Sequence, residues 1–243
     1  MHGMDADIKE FPHQCALRFS GSPSCGCVII SHQKVITGAH CVHGRTANQL
    51  TVYYGSTNRI SGGTELPVAD YREHPDFLGN DEPDHPGGYL ANDIAVVTVG
   101  GTIVFDDNVN MVSLAGPTDG DFSGTACNIS GWGRTDLISA PPTDLKRAEV
   151  NVLTHVECEN YFENTTTRVG ANPHVCVFSE NSGACNGDDG GPLTCYSSRL
   201  ATNILVGVAS WWSTLFNACD YTFPSVYTRI SSYRDWIENP PQA

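Results

Sequence analysis

Residues 185–193 read Cys-Asn-Gly-Asp-Asp-Gly-Gly-Pro-Leu, a tight turn-forming run that carries two adjacent carboxylates, Asp188 and Asp189. Gly187, Gly190 and Gly191 allow backbone turns that a side chain would forbid, so that amide N–H groups can converge on one point. A convergent set of N–H donors suits a developing oxyanion, the usual reason for building one at a hydrolytic site. Taken alone, the stretch reads more simply as an acidic surface turn. Its meaning depends on what else the chain carries.

The chain has 243 residues, enough for one domain or two small lobes with a sizeable core. Helical signal is sparse. Short β-branched and aromatic runs, punctuated by Gly, Pro, Asn and Asp, predict an all-β sandwich or barrel. Ten cysteines, with no C-x-x-C pair, indicate disulfides and an oxidising compartment rather than a cytosolic metal site. No hydrophobic stretch is long enough to span a bilayer. No signal peptide is present either, which suggests a mature or recombinant form of a secreted protein. The net charge of −14 argues against nucleic acid and anionic membrane as partners. It permits basic protein partners, although solubility explains an acidic surface equally well.

Two further stretches give the central loop its context: Thr37-Gly38-Ala39-His40-Cys41, and Asn92-Asp93-Ile94-Ala95-Val96-Val97. In the order His40, Asp93, then G-D-x-G-G-P, they resemble the chymotrypsin-like serine proteases, whose triad is a worked example of nucleophilic catalysis. Gly131-Trp132-Gly133 and Ser210-Trp211 add to the likeness, which extends from Phe11-Pro12 to Trp236. It implies two six-stranded antiparallel Greek-key β-barrels with a C-terminal helix. The expected boundaries are an N-terminal lobe over 11–112, a Gly/Pro/Asp-rich linker over 113–125, a second lobe over 126–230 and a helix over 231–239. In that family the residue after G-D is the nucleophilic serine. Here it is Asp189.

The resemblance assigns roles along the whole chain. Family members begin with an I-V-G-G-type sequence whose freed amine pairs with the Asp before the nucleophile, here Asp188. This chain starts Met-His-Gly-Met, about one residue short. Either the natural start has been replaced or the activation switch has decayed, and Met1–Glu10 is expected as an exposed arm before a strand at Pro12–Phe19. Without an amine, Asp188 is expected near the surface, because a buried unpaired carboxylate is costly. Carrying cysteines over by motif implies Cys25–Cys41, Cys127–Cys195, Cys158–Cys176 and Cys185–Cys219. Cys15 and Cys27 then remain on what are expected to be adjacent strands, and the even count predicts a fifth bond between them. The Asp/Pro/Gly-rich loop between His74 and Asp93 is longer than in typical members; it reads as a tolerated insertion or as an altered cleft rim. Asn164-Thr165-Thr166 is an N-glycosylation acceptor in a polar loop, whereas the one at Asn128 lies in a strand and is not expected to be used.

At the primary specificity pocket the family's S-W-G becomes Ser210-Trp211-Trp212. The pocket-base position is Gly183, which offers a basic side chain no partner, and Ser225 replaces a wall glycine. Trp212 is expected to fill the space a substrate side chain needs. An aspartate, with a reference pKa of about 3.9, is ionised at neutral pH and is a weak nucleophile towards an amide. Its acyl product would be an anhydride, formed uphill. Its charge also opposes an oxyanion at the vestigial hole formed by the backbone at Gly187 and Asp189, and its expected fate is an ion pair with His40 that raises the histidine's pKa.

These features point to a catalytically inactive homologue, with no active catalytic residue and no cofactor or metal. The wording of Cys41–Tyr54 is most similar to mite trypsin-like allergens. With the lost serine, this resembles the inactivated protease paralogues of parasitic mites such as the scabies mite. That resemblance implies a secreted, monomeric protein acting by binding host proteins, notably complement components. Alternatives are a residual or altered peptide hydrolase that retains His40 and Asp93, a metal site of His40, Asp93 and Asp189, and a decoy that shields substrates of active relatives. The metal site has a thin ligand set for zinc, and Trp212 argues against the decoy.

Overall fold

After a two-residue strand β1 (Met4–Asp5), the first barrel is built from β2 (Gln14–Phe19), β3 (Ser22–Ile29), β4 (Lys34–Thr37), β5 (Leu50–Tyr54), β6 (Thr64–Glu73) and β7 (Ala95–Val99). The computed structural model describes residues 3–79, 89–136, 138–213, 219 and 221–239. These strands close in the order β2-β3-β4-β7-β6-β5, all pairs antiparallel. Bulges at Leu17/Arg18 and Val68/Asp70 supply the bends that closure requires.

The second sheet begins with the short β8 (Ser113–Leu114). It continues through β9 (Ala126–Gly131), β10 (Lys146–Val152), helix α1 (His155–Phe162), β11 (His174–Phe178), β12 (Pro192–Ser197), β13 (Thr202–Trp212), β14 (Ser225–Arg229) and helix α2 (Ile230–Glu238). Strands β9, β10, β11, β14, β13 and β12 pair in a ring, with β9 also closing onto β10. Along β10 the residues Ala148, Val150 and Val152 are buried while Glu149 and Asn151 are exposed, the alternation of a strand with one wet face. The two closed six-stranded barrels and the C-terminal helix are the architecture expected from the sequence.

Several expectations need correction in detail. Residues 3–10 are not a free arm: β1 pairs with β10 through Met4–Arg147 and Asp5–Lys146, and Ala6 and Ile8 are buried with Phe11, Trp132 and Leu145. The Ala6 N–H donates to the Leu145 carbonyl at 3.0 Å, so the segment is a strap from the first barrel onto the second. The strand expected from Pro12 starts at Gln14, and the run at Asp93 becomes a strand only at Ala95. The expected linker is partly sheet, since β8 runs parallel to β13 through Ser113–Ile204 and Leu114–Leu205. Helix α1 has a signal that the sequence reading missed: Thr154 accepts from the Glu157 N–H while the Glu157 carboxylate accepts from the Thr154 N–H.

All five disulfides form as expected, Cys15–Cys27 included, with the two residues directly opposite each other on β2 and β3. Buried polar pairs fasten the barrels together: the Ser130 hydroxyl donates to Gln14 Oε1 at 2.6 Å, and the Thr228 hydroxyl to the Asp93 carbonyl at 2.7 Å. Leu145→Ala is expected to cost about 2–5 kcal/mol by opening a cavity under the strap. Urea unfolding measures that loss, and limited proteolysis between residues 3 and 10 is expected to accelerate in parallel.

Candidate active site

His40 lies on a single 3-10 turn, Ala39–Cys41, immediately after β4, and the Cys25–Cys41 disulfide fixes that turn against β3. Asp93 lies two residues before β7 and is fully buried. The chain reaches it through Asn92 at φ +63°, a left-handed conformation that asparagine tolerates better than most residues. Asp93 Oδ1 accepts the His40 backbone N–H at 2.9 Å, and Oδ2 lies 2.7 Å from His40 Nδ1. Ser210 completes the shell by donating to Asp93 Oδ2 at 2.5 Å. It sits at the β13 bulge between Ala209 and Trp211, and the bulge turns its hydroxyl towards the seam. Sequence reading took Ser210 only as part of a motif and did not assign it this role.

The 185–193 loop is held by close backbone approaches. The Gly26 N–H donates to the Asp189 carbonyl at 2.6 Å and the Gly190 N–H to the Ala209 carbonyl at 2.8 Å. A Cβ on Gly190 would stand 2.2 Å from Thr37 Oγ1 and 2.5 Å from the Gly26 carbonyl, and the residue has φ +75°, so only glycine fits. Asp188 is buried; a surface position was expected only if no amine reaches it. Its Oδ1 accepts the Gly133 N–H at 2.8 Å and its Oδ2 the Cys185 N–H at 3.1 Å. Side chains at Gly131 or Gly133 would strike this carboxylate, which explains the G-W-G sequence. Burial raises the Asp188 carboxyl pKa. The chain start, which carries the amine in the family's activation, falls on residues 1–2, outside the described residues.

Asp189 projects back over this framework. Its Oδ1 lies 3.5 Å from His40 Nε2, and its Oδ2 accepts the Gly187 N–H at 3.1 Å. One carboxylate therefore occupies both positions that nucleophilic catalysis needs: the partner of the imidazole and the anion at the oxyanion donor. Asp189 is 25 % and His40 20 % exposed, so both are reachable from solvent. Burial alone would lower the His40 pKa, but Asp93 and Asp189 together overcome it and raise it to about 10. Asp93 suffers the same desolvation, and His40 with the Ser210 hydroxyl nevertheless holds its carboxyl below the ordinary range. The metal reading of His40, Asp93 and Asp189 fits poorly, because the carboxylates address opposite ring nitrogens, Nδ1 and Nε2, and do not converge on one point. Among the described residues, Cys25, His40 and Cys41 do converge, but the disulfide uses both sulfurs.

At the specificity pocket, a Cβ on Gly183 would meet Ser225 Oγ at 2.9 Å and the Tyr221 ring at 3.2 Å. Ser225 Oγ also accepts the Ala184 N–H at 3.0 Å, and Trp212 pairs with Ser225 across β13 and β14. The half-buried Trp212 ring packs on the second-barrel core that contains Ala184. Tyr221 is a wall residue that the sequence reading missed; no local pattern marked it. Trp211 is buried against Tyr89, Phe162 and His174. Most of the long loop before Asp93 (80–88) and of the loop after Ser213 (214–218) lies outside the described residues. Asn164 is exposed just past α1, while Asn128 lies within β9 opposite Glu149 and Thr194.

A seam between two six-stranded barrels, holding His, Asp and a G-D-x-G-G-P loop, defines a chymotrypsin-like protein. The trypsin family model matches residues 1–237, and the chain belongs to that family. It is 35 % identical to fibrinolytic enzyme, isozyme C, of Lumbricus rubellus, with 97 % of each chain covered. It is 30 % identical to trypsin beta of Drosophila erecta, over 98 % of this chain and 86 % of that one. Trypsin alpha of Drosophila melanogaster is 31 % identical, over 97 % and 84 %.

The folded chain keeps a His40 proton that the unfolded chain releases near pH 6.5. His40 therefore stabilises the fold fully below that pH, and the contribution is lost as pH rises towards about 10. An NMR titration of the imidazole is expected to show a midpoint near pH 10. Asp189→Asn is expected to lower that midpoint and to shrink the alkaline loss of stability.

Proposed function

We propose that this chain is a trypsin-family protein that cleaves no peptide bond and acts instead as a secreted binding protein. One observation carries the reading: the Asp189 carboxylate stands between His40 Nε2 and the Gly187 N–H. Peptide hydrolysis needs a side chain that gives its proton to a neutral histidine and an empty donor for the new oxyanion. Asp189 supplies no such proton, His40 remains charged at neutral pH, and the Gly187 donor is already engaged. The replacement of the family's pocket glycines by Trp212 and Ser225, next to Tyr221 and Gly183, supports a steric obstruction as well. The five disulfides support an extracellular location, and no helix among the described residues is long and apolar enough to cross a membrane.

The partners follow from the resemblance to the inactivated mite paralogues: host defence proteins, with complement components first. The observation favouring the rival reading, a residual peptide hydrolase, is the intact Asp93–His40–Ser210 geometry, together with relatives named as trypsins and a fibrinolytic enzyme.

A broad peptide library separates the two. The parent and Asp189→Ser are expected to show no turnover, and Asp189→Ser combined with Trp212→Gly to show measurable cleavage. Turnover by the purified parent, abolished by Asp189→Asn, sinks the inert reading. For the partners, complement-mediated lysis is expected to fall at micromolar protein; unchanged lysis removes complement from the proposal.

A further inference from the structure

Inertness towards amides does not make Asp189 unreactive towards every electrophile. Attack on a carbonyl would give a mixed anhydride, whereas attack on a saturated ring carbon gives an ester and releases ring strain. We propose that Asp189, His40 and Asp93 hydrolyse small epoxides, with an Asp189 carboxylate oxygen as the nucleophile towards a ring carbon and an ester on its own side chain as the intermediate.

The geometry supplies each requirement. Asp189 is anchored through its carbonyl to the Gly26 N–H at 2.6 Å, yet its side chain is one-quarter exposed. Oδ1 is the oxygen that faces His40 Nε2, and Oδ2 is held by the Gly187 N–H. Ser225 and Tyr221 stand close to Gly183, and Trp212 pairs with Ser225 and packs on the second-barrel core, so the proposed substrates are confined to small, solvent-delivered epoxides.

In the first step Oδ1 forms a bond to a ring carbon, and the ring C–O bond breaks. The departing oxygen takes its proton from Nε2 of the charged His40. The ester carries no charge, so one of the two anions that kept His40 protonated is gone. Asp93, a positioning residue here, still holds Nδ1 at 2.7 Å, which leaves Nε2 on the side of the Asp189 side chain, 3.5 Å from its Oδ1. In the second step Nε2 takes a proton from water as the hydroxyl adds to Cγ. The anion develops on Oδ2, where the Gly187 N–H already points, so the carboxylate and the tetrahedral intermediate use the same donor. Collapse breaks the Cγ–Oδ1 bond, and the leaving alkoxide takes the proton of the new carboxyl group. Epoxide and water have become a vicinal diol, and His40 is again protonated. The oxygen of the water remains on Asp189, and the former Oδ1 leaves in the diol.

That oxygen exchange is the test. The intact protein is incubated with excess styrene oxide in heavy-oxygen water, and the peptide containing Asp189 is analysed by mass spectrometry. The expected result is heavy oxygen in the Asp189 carboxylate together with diol formation. A trapped hydroxyphenylethyl ester at Asp189, formed slowly with the departing oxygen protonated by water, is expected in His40→Gln, and loss of both signals in Asp189→Asn. Absence of heavy oxygen at Asp189 in the parent overturns the proposal, whether diol forms by another route, the ester persists, or other carboxylates are alkylated instead. The parent chain decides the matter, so a variant that misfolds does not rescue the idea. The inference does not depend on the binding reading: peptide turnover and oxygen exchange are separate measurements, and either can fail alone.

Discussion

The buried Asp93 carboxylate is the constraint around which the seam between the barrels is arranged. An isolated carboxylate removed from water would be strongly destabilising. Asp93 is instead met by the His40 main-chain N–H, the His40 ring and the Ser210 hydroxyl, while Thr228 binds its carbonyl. His40 comes from the first barrel; Ser210 and Thr228 come from the second. Removing any of these contacts exposes a charge to an apolar environment, so the barrels are held in one mutual placement. This gives His40 and Asp93 a structural role whatever chemistry the site performs: His40 neutralises a charge that the seam cannot otherwise hold.

The same electrostatics make Asp189 tolerable. Without a cation beside it, a carboxylate in place of a serine would repel Asp93 across the imidazole. With His40 protonated between them, negative, positive and negative charges alternate through Asp93, His40 and Asp189. The backbone was already prepared for a negative charge at the Gly187 N–H, since a donor aimed at an oxyanion serves a carboxylate oxygen equally well. The loop therefore needs no rebuilding to accept Asp189. Its glycines still interlock with Thr37 and Gly26, and Asp188 still occupies the cradle formed by Gly131 and Gly133. The same arrangement leaves a solvent-reachable carboxylate oxygen beside the His40 imidazole.

Sequence and structure agree where a property depends on local covalent pattern or on motif order. The alternation in β10, the ten cysteines and the ordered His40, Asp93 and G-D-x-G-G-P stretches were legible before any coordinates, and so was the pairing of Asp189 with His40. The fifth disulfide followed once Cys15 and Cys27 were placed on neighbouring strands, where they lie directly opposite each other. The strap over residues 3–10 was not legible, because its short apolar residues, Ala6 and Ile8, gain burial only from Trp132 and Leu145, far along the chain. The two main-chain N–H groups that meet Asp188 were not legible for a related reason: backbone donors leave no mark in a sequence.

The sequence by itself determined the all-β class, the even set of ten cysteines and the presence of Asp189 after Gly187-Asp188, since strand periodicity, cysteine count and residue identity are written in the chain; four disulfide pairings came from the family resemblance. Only the tertiary structure decided that Ser210 faces Asp93, that Tyr221 crowds Gly183, and that one carboxylate bridges His40 and the Gly187 N–H. The physical reason is distance along the chain: Ser210 and Asp93 are 117 residues apart. Contacts at such separations exist only after two closed barrels have been pressed together and a bulge has turned one hydroxyl towards a buried charge.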